Sequence, residues 1–294
     1  MAPIGRTLQY HYKEAFEPLA GYRFSRNKRS LLLGATATGQ KLTNEQNISF
    51  TKASDAYFDS LQGREPRQIK IERLLSESDF QTPCDAPLYK YVSEETWHHI
   101  QRGSFRLGSA VYYRTTENHG IRDDREGCGY FFIQSNDDQF SLGLTSGFNA
   151  AIFCGTALPH ADVDHEVMIG KFGSRLLKIE PVNEFIERLR KRIHAFRARV
   201  FDITYTDTKT IIVQHERGTR LRQLMRERPN LHELNREYFQ TFYDLSLLPT
   251  LCAKPSFYAE EHERRAIFEM RDDLTQPAII VNDKSLLDFV SVVD

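Results

Sequence analysis

The stretch Lys254-Pro255-Ser256-Phe257-Tyr258-Ala259-Glu260-Glu261-His262-Glu263-Arg264-Arg265-Ala266-Ile267-Phe268 gathers carboxylates and guanidiniums into a few residues and then runs into an apolar tail. Read as a strand from Glu261 on, its period of two sends Glu261, Glu263 and Arg265 to one face. Two acids beside a cation on one rigid element suit acid/base chemistry or recognition of a sugar. Read instead as a helical turn, the same residues form the i,i+4 pairs Glu260–Arg264 and Glu261–Arg265. Each of those is worth only about 0.2–0.5 kcal/mol. The choice between the two decides whether this segment belongs to a sheet or to a helix.

Upstream, other short apolar runs read as strands: Leu88–Val92, Phe105–Leu107, Tyr130–Ile133, Ala150–Phe153, Glu166–Ile169, Arg175–Ile179, Phe201–Tyr205 and Thr210–Val213. Two more, Ala278–Val281 and Phe289–Val292, close the chain. Their close spacing predicts an antiparallel-rich sheet. Helices are expected over 93–102, with Ser93 as N-cap and Gly103 past the end, and over 182–200. Two further helices are expected within 217–248, the second rich in aromatics. The basic face of 182–200 (Arg188, Arg190, Lys191, Arg192, Arg197, Arg199) reads as solvated. The fold class is α+β, an antiparallel-rich sheet with packed helices.

The pair Pro83 and Pro87 marks the expected boundary between an accessory segment, 1–83, and an α+β domain, 84–294. The first segment interleaves basic and aromatic residues (Tyr10-His11-Tyr12-Lys13, and Tyr22 to Arg29) and includes a short amphipathic helix candidate from Arg64 to Leu75. At 294 residues and 34.2 kDa a sizeable core is available. A net charge of -1 and a pI near 6.8 give no whole-chain field for nucleic acid, though local basic stretches remain. Cys84, Cys128, Cys154 and Cys252 are scattered with no CxxC pair, as reduced thiols are. No apolar run approaches the about 20 residues of a membrane span, and residues 1–6 lack the apolar core of a secretory signal. The expected location is cytoplasmic, away from membranes.

A second informative block runs from Phe105 to Arg114 and on through Ile121-Arg122-Asp123-Asp124-Arg125-Glu126-Gly127. Here a strand delivers Gly108-Ser109, then Tyr113-Arg114, then an acidic turn. Arg114 suits a phosphate or carboxylate, with Asp123 and Glu126 placed to hold it. The alternative is a salt-bridged loop. His160 to Glu166 carries metal-ligand types but no completed spacing, and reads as a polar loop. There is no GxSxG elbow, Walker loop or GxGxxG.

The order LYKY, helix ending in Gly, FRLGS, YR, IxDxxEG and KPxxYxxExERR, over residues 87–294, resembles a large bacterial family of uncharacterised domains found in defence and mobile-element loci. The acidic turn departs from that family, having no Asn-Asp-Pro. More distantly, the layout is similar to that of ADP-ribosyltransferases, whose split sheet ends late in the chain on a Glu, often in a Glu-x-Glu pair. That resemblance implies NAD as the group donor and a macromolecule as acceptor, either of them handled by a toxin-type effector. It implies that Glu263 holds a ribose hydroxyl and stabilises an oxocarbenium-like transition state, that Glu261 orients the nucleophile, with Arg265 beside them, and that Tyr113 or Tyr112 stacks on nicotinamide. Arg114 would take a phosphate, and Ser109, Tyr89 and Lys90 would complete the cofactor side. The family places His or Arg where this chain has Tyr89-Lys90-Tyr91, so Lys90 stands in as donor.

Two other functions fit the same residues. One is a nuclease holding Mg²⁺ on Asp123, Glu126, Glu261 and Glu263 with Lys254 near the phosphate. The other is a non-catalytic sensor of phage protein or nucleic acid, working through Arg26, Lys28 and Arg29. A partner protein from the same locus is expected.

Overall fold

The computed structural model describes residues 17–19, 23–24, 30–37, 45, 48, 51–52, 56, 73–80, 86–115, 125–135, 138–158, 164–226 and 231–293. Outside them lie Tyr10–Lys13, Arg26, Lys28, Arg29, Cys84, Asp123, His160 and all but the end of the helix expected from Arg64. The fold is α+β, as expected. Every strand pairing used below is antiparallel except that of Cys128–Ser135 with Thr210–Gln214. Among the described residues no helix is long and apolar enough to cross a membrane.

The described residues form two compact units, each assembled from separate segments. The first takes residues up to Asp79, Gly127–Ser146 and Thr206–Ala253; the second takes Phe80–Glu126, Gly147–Tyr205 and Lys254–Asp294. Strand pairing joins the segments of the first: Ser30–Ala37 lies along Asp138–Ser146, which in turn pairs with Cys128–Ser135. In this first unit the sheet order is Glu17–Leu19, Ser30–Ala37, Asp138–Ser146, Cys128–Ser135, Thr210–Gln214. Helices Gly218–Arg226, Leu231–Thr241 and Tyr243–Leu251 accompany it, where the sequence suggested two. Tyr238 and Phe242 are fully buried, and the Tyr238 hydroxyl donates to Ser246 Oγ at 2.9 Å.

The second unit carries the candidate site, and its elements are numbered here. They are β1 (Leu88–Val92), α1 (Glu94–Ile100), β2 (Ser104–Ser109), α2 (Ala110–Thr115), β3 (Ala150–Thr156) and α3 (His165–Phe172). Then come β4 (Arg175–Ile179), α4 (Val182–Arg192), β5 (Arg197–Asp202), β6 (Glu263–Glu269), β7 (Ala278–Asn282) and β8 (Val290–Val292). The sheet runs β5-β6-β3-β1-β4-β8, with β2 joined to both β3 and β7. Ser93 caps α1 as the sequence predicts, its Oγ accepting from Thr96 N at 3.1 Å.

The core lies between this sheet and α4. Val182, Phe185, Ile186 and Leu189 recur at helical spacing and are buried. The Phe185 ring meets Phe105 and Phe153, each at 5.5 Å between centroids. The opposite face of α4 is basic but compensated: Arg190 pairs with Glu187 at 2.7 Å and Arg192 with Asp283 at 2.5 Å.

Two expectations are corrected here. The helix expected over 182–200 ends at Arg192, because His194 takes a left-handed φ of 56° and Arg197–Asp202 finds a ladder along β6. The strand expected at Glu166–Ile169 is helix α3. Asp164 Oδ1 accepts from Val167 N at 3.2 Å, a capping bond that a four-residue apolar run does not disclose. Gly173 ends α3 at φ 114°, where a Cβ would come within 2.4 Å of the Ser93 nitrogen. Gly173→Ala is therefore expected to cost at least about 1–3 kcal/mol of stability, read as a lowered midpoint in thermal unfolding.

Candidate active site

Strand β3 is paired along its whole length to β6 on one edge, from Ala150↔Glu269 to Thr156↔Glu263. On its other edge β2 takes Ala151 and Ile152, while β1 takes Thr156. Among the described residues no strand pairs with Phe153–Gly155 there. The sheet parts at this stretch, and a cavity of about 190 Å³ is lined from both sides of it. Its walls include Lys90 from β1, Arg106 from β2, Tyr113 from α2, Cys154 from β3, Met168 and Phe172 from α3, and the acids and bases around β6.

Those acids and bases form one alternating chain. Glu126 Oε1 accepts from Arg265 Nη1 at 2.7 Å, and Arg265 Nε donates to Glu263 Oε1 at 2.8 Å. Lys254 Nζ donates to Glu263 Oε2 and to Glu261 Oε2, both at 2.9 Å. Lys171 Nζ reaches the last oxygen, Glu261 Oε1, at 3.4 Å. Arg265 is 2% exposed and Glu126 1%.

The local backbone differs from either sequence reading. Ser256–Glu261 is a 3-10 helix, His262 turns through a left-handed φ of 41°, and the strand starts at Glu263. Glu263 and Arg265 share a face by strand alternation, as expected. Glu261 arrives from the helical turn and meets them through Lys254. Neither i,i+4 pair forms: Glu260 is exposed, and Arg264 binds Asp202 at 2.6 Å and the Pro87 carbonyl at 2.8 Å.

The chain of charges fixes protonation. Burial would push the Glu263 carboxyl up, but Arg265 and Lys254 outweigh it and hold it well below the usual range. Burial would likewise pull Lys254 down, yet Glu263 and Glu261 carry its ammonium well above the ordinary value. Cys154 is pushed up to about 12 by burial, then by Glu263, so it stays a thiol. Tyr113 is raised by burial, then by Cys154 and Glu263, and stays a phenol. Tyr113 lies against β2, where Gly108 makes room: a Cβ there would sit 2.7 Å from the phenol oxygen.

Acid sensitivity follows with a definite sign. The unfolded chain protonates Glu263 near 4.5, the fold only well below it. The contribution of Glu263 is full above 4.5 and is lost as pH falls through the folded value, at up to about 1.4 kcal/mol per pH unit. Urea unfolding at stepped pH below 5 is expected to show a falling midpoint, and Glu263→Gln to flatten that slope.

Of the residues singled out from sequence, Glu261, Glu263, Arg265, Tyr113, Lys90 and Glu126 line this cavity. Ser109, Arg114 and Tyr89 do not. Ser109 Oγ accepts from Tyr112 N at 3.0 Å, at the start of α2. The Arg114 guanidinium lies over the Phe148 ring at 5.1 Å. Tyr89 pairs across to Thr156. Asp123 is outside the described residues. Sequence reasoning missed Arg106, Lys171, Met168 and Phe172; the polar Arg106 between Phe105 and Leu107 was the available signal.

Two ligand readings can be set against this donor set. Among the described residues no group of three metal-ligand side chains stands together. Glu126, Glu261 and Glu263 are each tied to Lys254 or Arg265, so Mg²⁺ would meet fixed cations where it needs free oxygens. For NAD the cavity is smaller than the about 300–1,000 Å³ of pockets that enclose a drug-sized ligand. No protein-family model, curated protein or solved structure matches the chain.

Proposed function

We propose that the second unit is an ADP-ribosyltransferase-like enzyme that takes NAD by its nicotinamide-ribose end and passes the ADP-ribosyl group to a macromolecule, as a defence or toxin effector would. One observation carries this reading: the parted sheet holds Glu261 and Glu263 in one small cavity, bridged by Lys254, with Glu263 kept ionised by Arg265 and Lys254.

Glycosyl transfer from NAD develops positive charge at the ribose carbon as its bond to nicotinamide breaks. The electron pair leaves with the ring, which departs neutral. A carboxylate already fixed and ionised stabilises that charge without reorganising. Glu263 has this role, since Arg265 and Lys254 hold both its oxygens. Glu261 has the looser oxygen, its link to Lys171 being 3.4 Å, and it orients the acceptor and receives the acceptor's proton. Tyr113 and Cys154, kept neutral, supply a wall that adds no competing charge.

The test is release of labelled nicotinamide from NAD by the purified full chain, with and without bacterial lysate as acceptor and with EDTA present. Release that EDTA leaves intact supports the transferase. Cleavage of nucleic acid that EDTA abolishes, without nicotinamide release, favours the nuclease.

A further inference from the structure

Two cations of the cavity stand outside the alternating chain. Lys90 lies on the face of β1 that sends Leu88 and Val92 into the core, an expensive position for an ammonium without full use of its donors. One donor goes to the Cys154 carbonyl at 2.6 Å, in the middle of the parted stretch, and the Phe153 ring lies 4.7 Å away. An ammonium has three donors. Among the described residues, the others on Lys90 have no protein acceptor.

Arg106 alternates with the buried Phe105 and Leu107, and so projects from the other face of β2, exposed while lining the cavity. Its guanidinium lies 4.7 Å from the Tyr112 ring centroid, and among the described residues it forms no ion pair. The two cations feel each other. Burial lowers the Lys90 ammonium first, Cys154 and Glu263 oppose that, and Arg106 lowers it further. The carboxylates of the cavity are committed to Lys254 and Arg265, leaving positive charge uncompensated on this side.

We propose that Lys90 and Arg106 form a phosphate subsite, so that the ligand of this cavity carries a phosphoryl group. The planar fork of Arg106 suits two phosphate oxygens, and the Lys90 ammonium a third as a point charge. This names the ligand class of the site and rests on the transferase reading for its biological sense, though not for its binding.

The experiment is calorimetric titration of the full chain with inorganic pyrophosphate and with ADP-ribose at low salt. Wild type is expected to bind, and Arg106→Gln and Lys90→Met each to weaken binding about tenfold to a hundredfold. Arg106 is exposed, so its variant folds. Tighter binding of ADP-ribose assigns the anion to a nucleotide, and equal binding assigns it to free phosphates; both keep the subsite. No saturable binding by wild type, or unchanged affinity in Arg106→Gln, overturns it. Binding without nicotinamide release overturns the transferase and keeps the subsite; release with unchanged affinity in Arg106→Gln does the reverse.

Discussion

Arg265→Ala is expected to lower the unfolding free energy by about 3–5 kcal/mol, the range for breaking a buried ion pair from one side. The guanidinium donates to Glu126 at 2.7 Å and to Glu263 at 2.8 Å, and all three side chains are almost fully buried. Removing it leaves two carboxylates facing each other without their shared cation. Burial and like charge then both favour protonation, so the loss should be greatest at neutral pH and shrink on acidification. Urea unfolding of the full chain, monitored by far-UV circular dichroism at pH 7 and pH 5, reads both parts. A companion variant separates charge from volume: Glu126→Gln in the Arg265→Ala background removes one unpaired anion. It should restore part of the stability, with a coupling of about 0.5–3 kcal/mol between the sites. A loss under about 1 kcal/mol for Arg265→Ala would mean the network is hydrated and contributes little.

The legible parts of this chain were those whose signal is local. The Leu88–Val92 strand, the Ser93 cap and the apolar stripe of Val182–Leu189 each stand in a few consecutive residues, and each forms. Helix α3 was hidden because its deciding bond comes from Asp164, two residues before a run that reads equally well as strand. The end of α4 was hidden because residues 193–200 keep an apolar spacing compatible with helix while β6, some sixty residues on, offers them a ladder. The discontinuous units were beyond reach for the same reason, since pairing of Ser30–Ala37 with Asp138–Ser146 is a long-range choice. At the site, residue types on one short segment pointed to Glu261, Glu263 and Arg265. Their gathering with Glu126, Lys90 and Arg106 depends on where β3 loses a neighbour, which no spacing announces.

Glu261→Gln is expected to reduce nicotinamide release about 10²–10³-fold while leaving the fold in place. The amide keeps the volume of the carboxylate, and its oxygen still accepts from Lys254, which also retains Glu263 at 2.9 Å. What disappears is a negative charge and the capacity to take a proton. Stability should therefore move by no more than about 1–2 kcal/mol: the bond from Lys254 is weakened, and the long 3.4 Å link to Lys171 is lost at a side chain that solvent can reach. Glu263→Gln makes the opposite comparison. It loosens Arg265 and Lys254 together, so its loss of activity should come with a clear drop in unfolding midpoint. The informative measurement is thus the pair of variants, each assayed for nicotinamide release and for thermal unfolding. Activity lost at constant midpoint in Glu261→Gln assigns that carboxylate to the reacting atoms. Full activity in a folded Glu261→Gln would leave it a partner of Lys254 and Lys171 only, and the acceptor's proton would then have to leave by way of water.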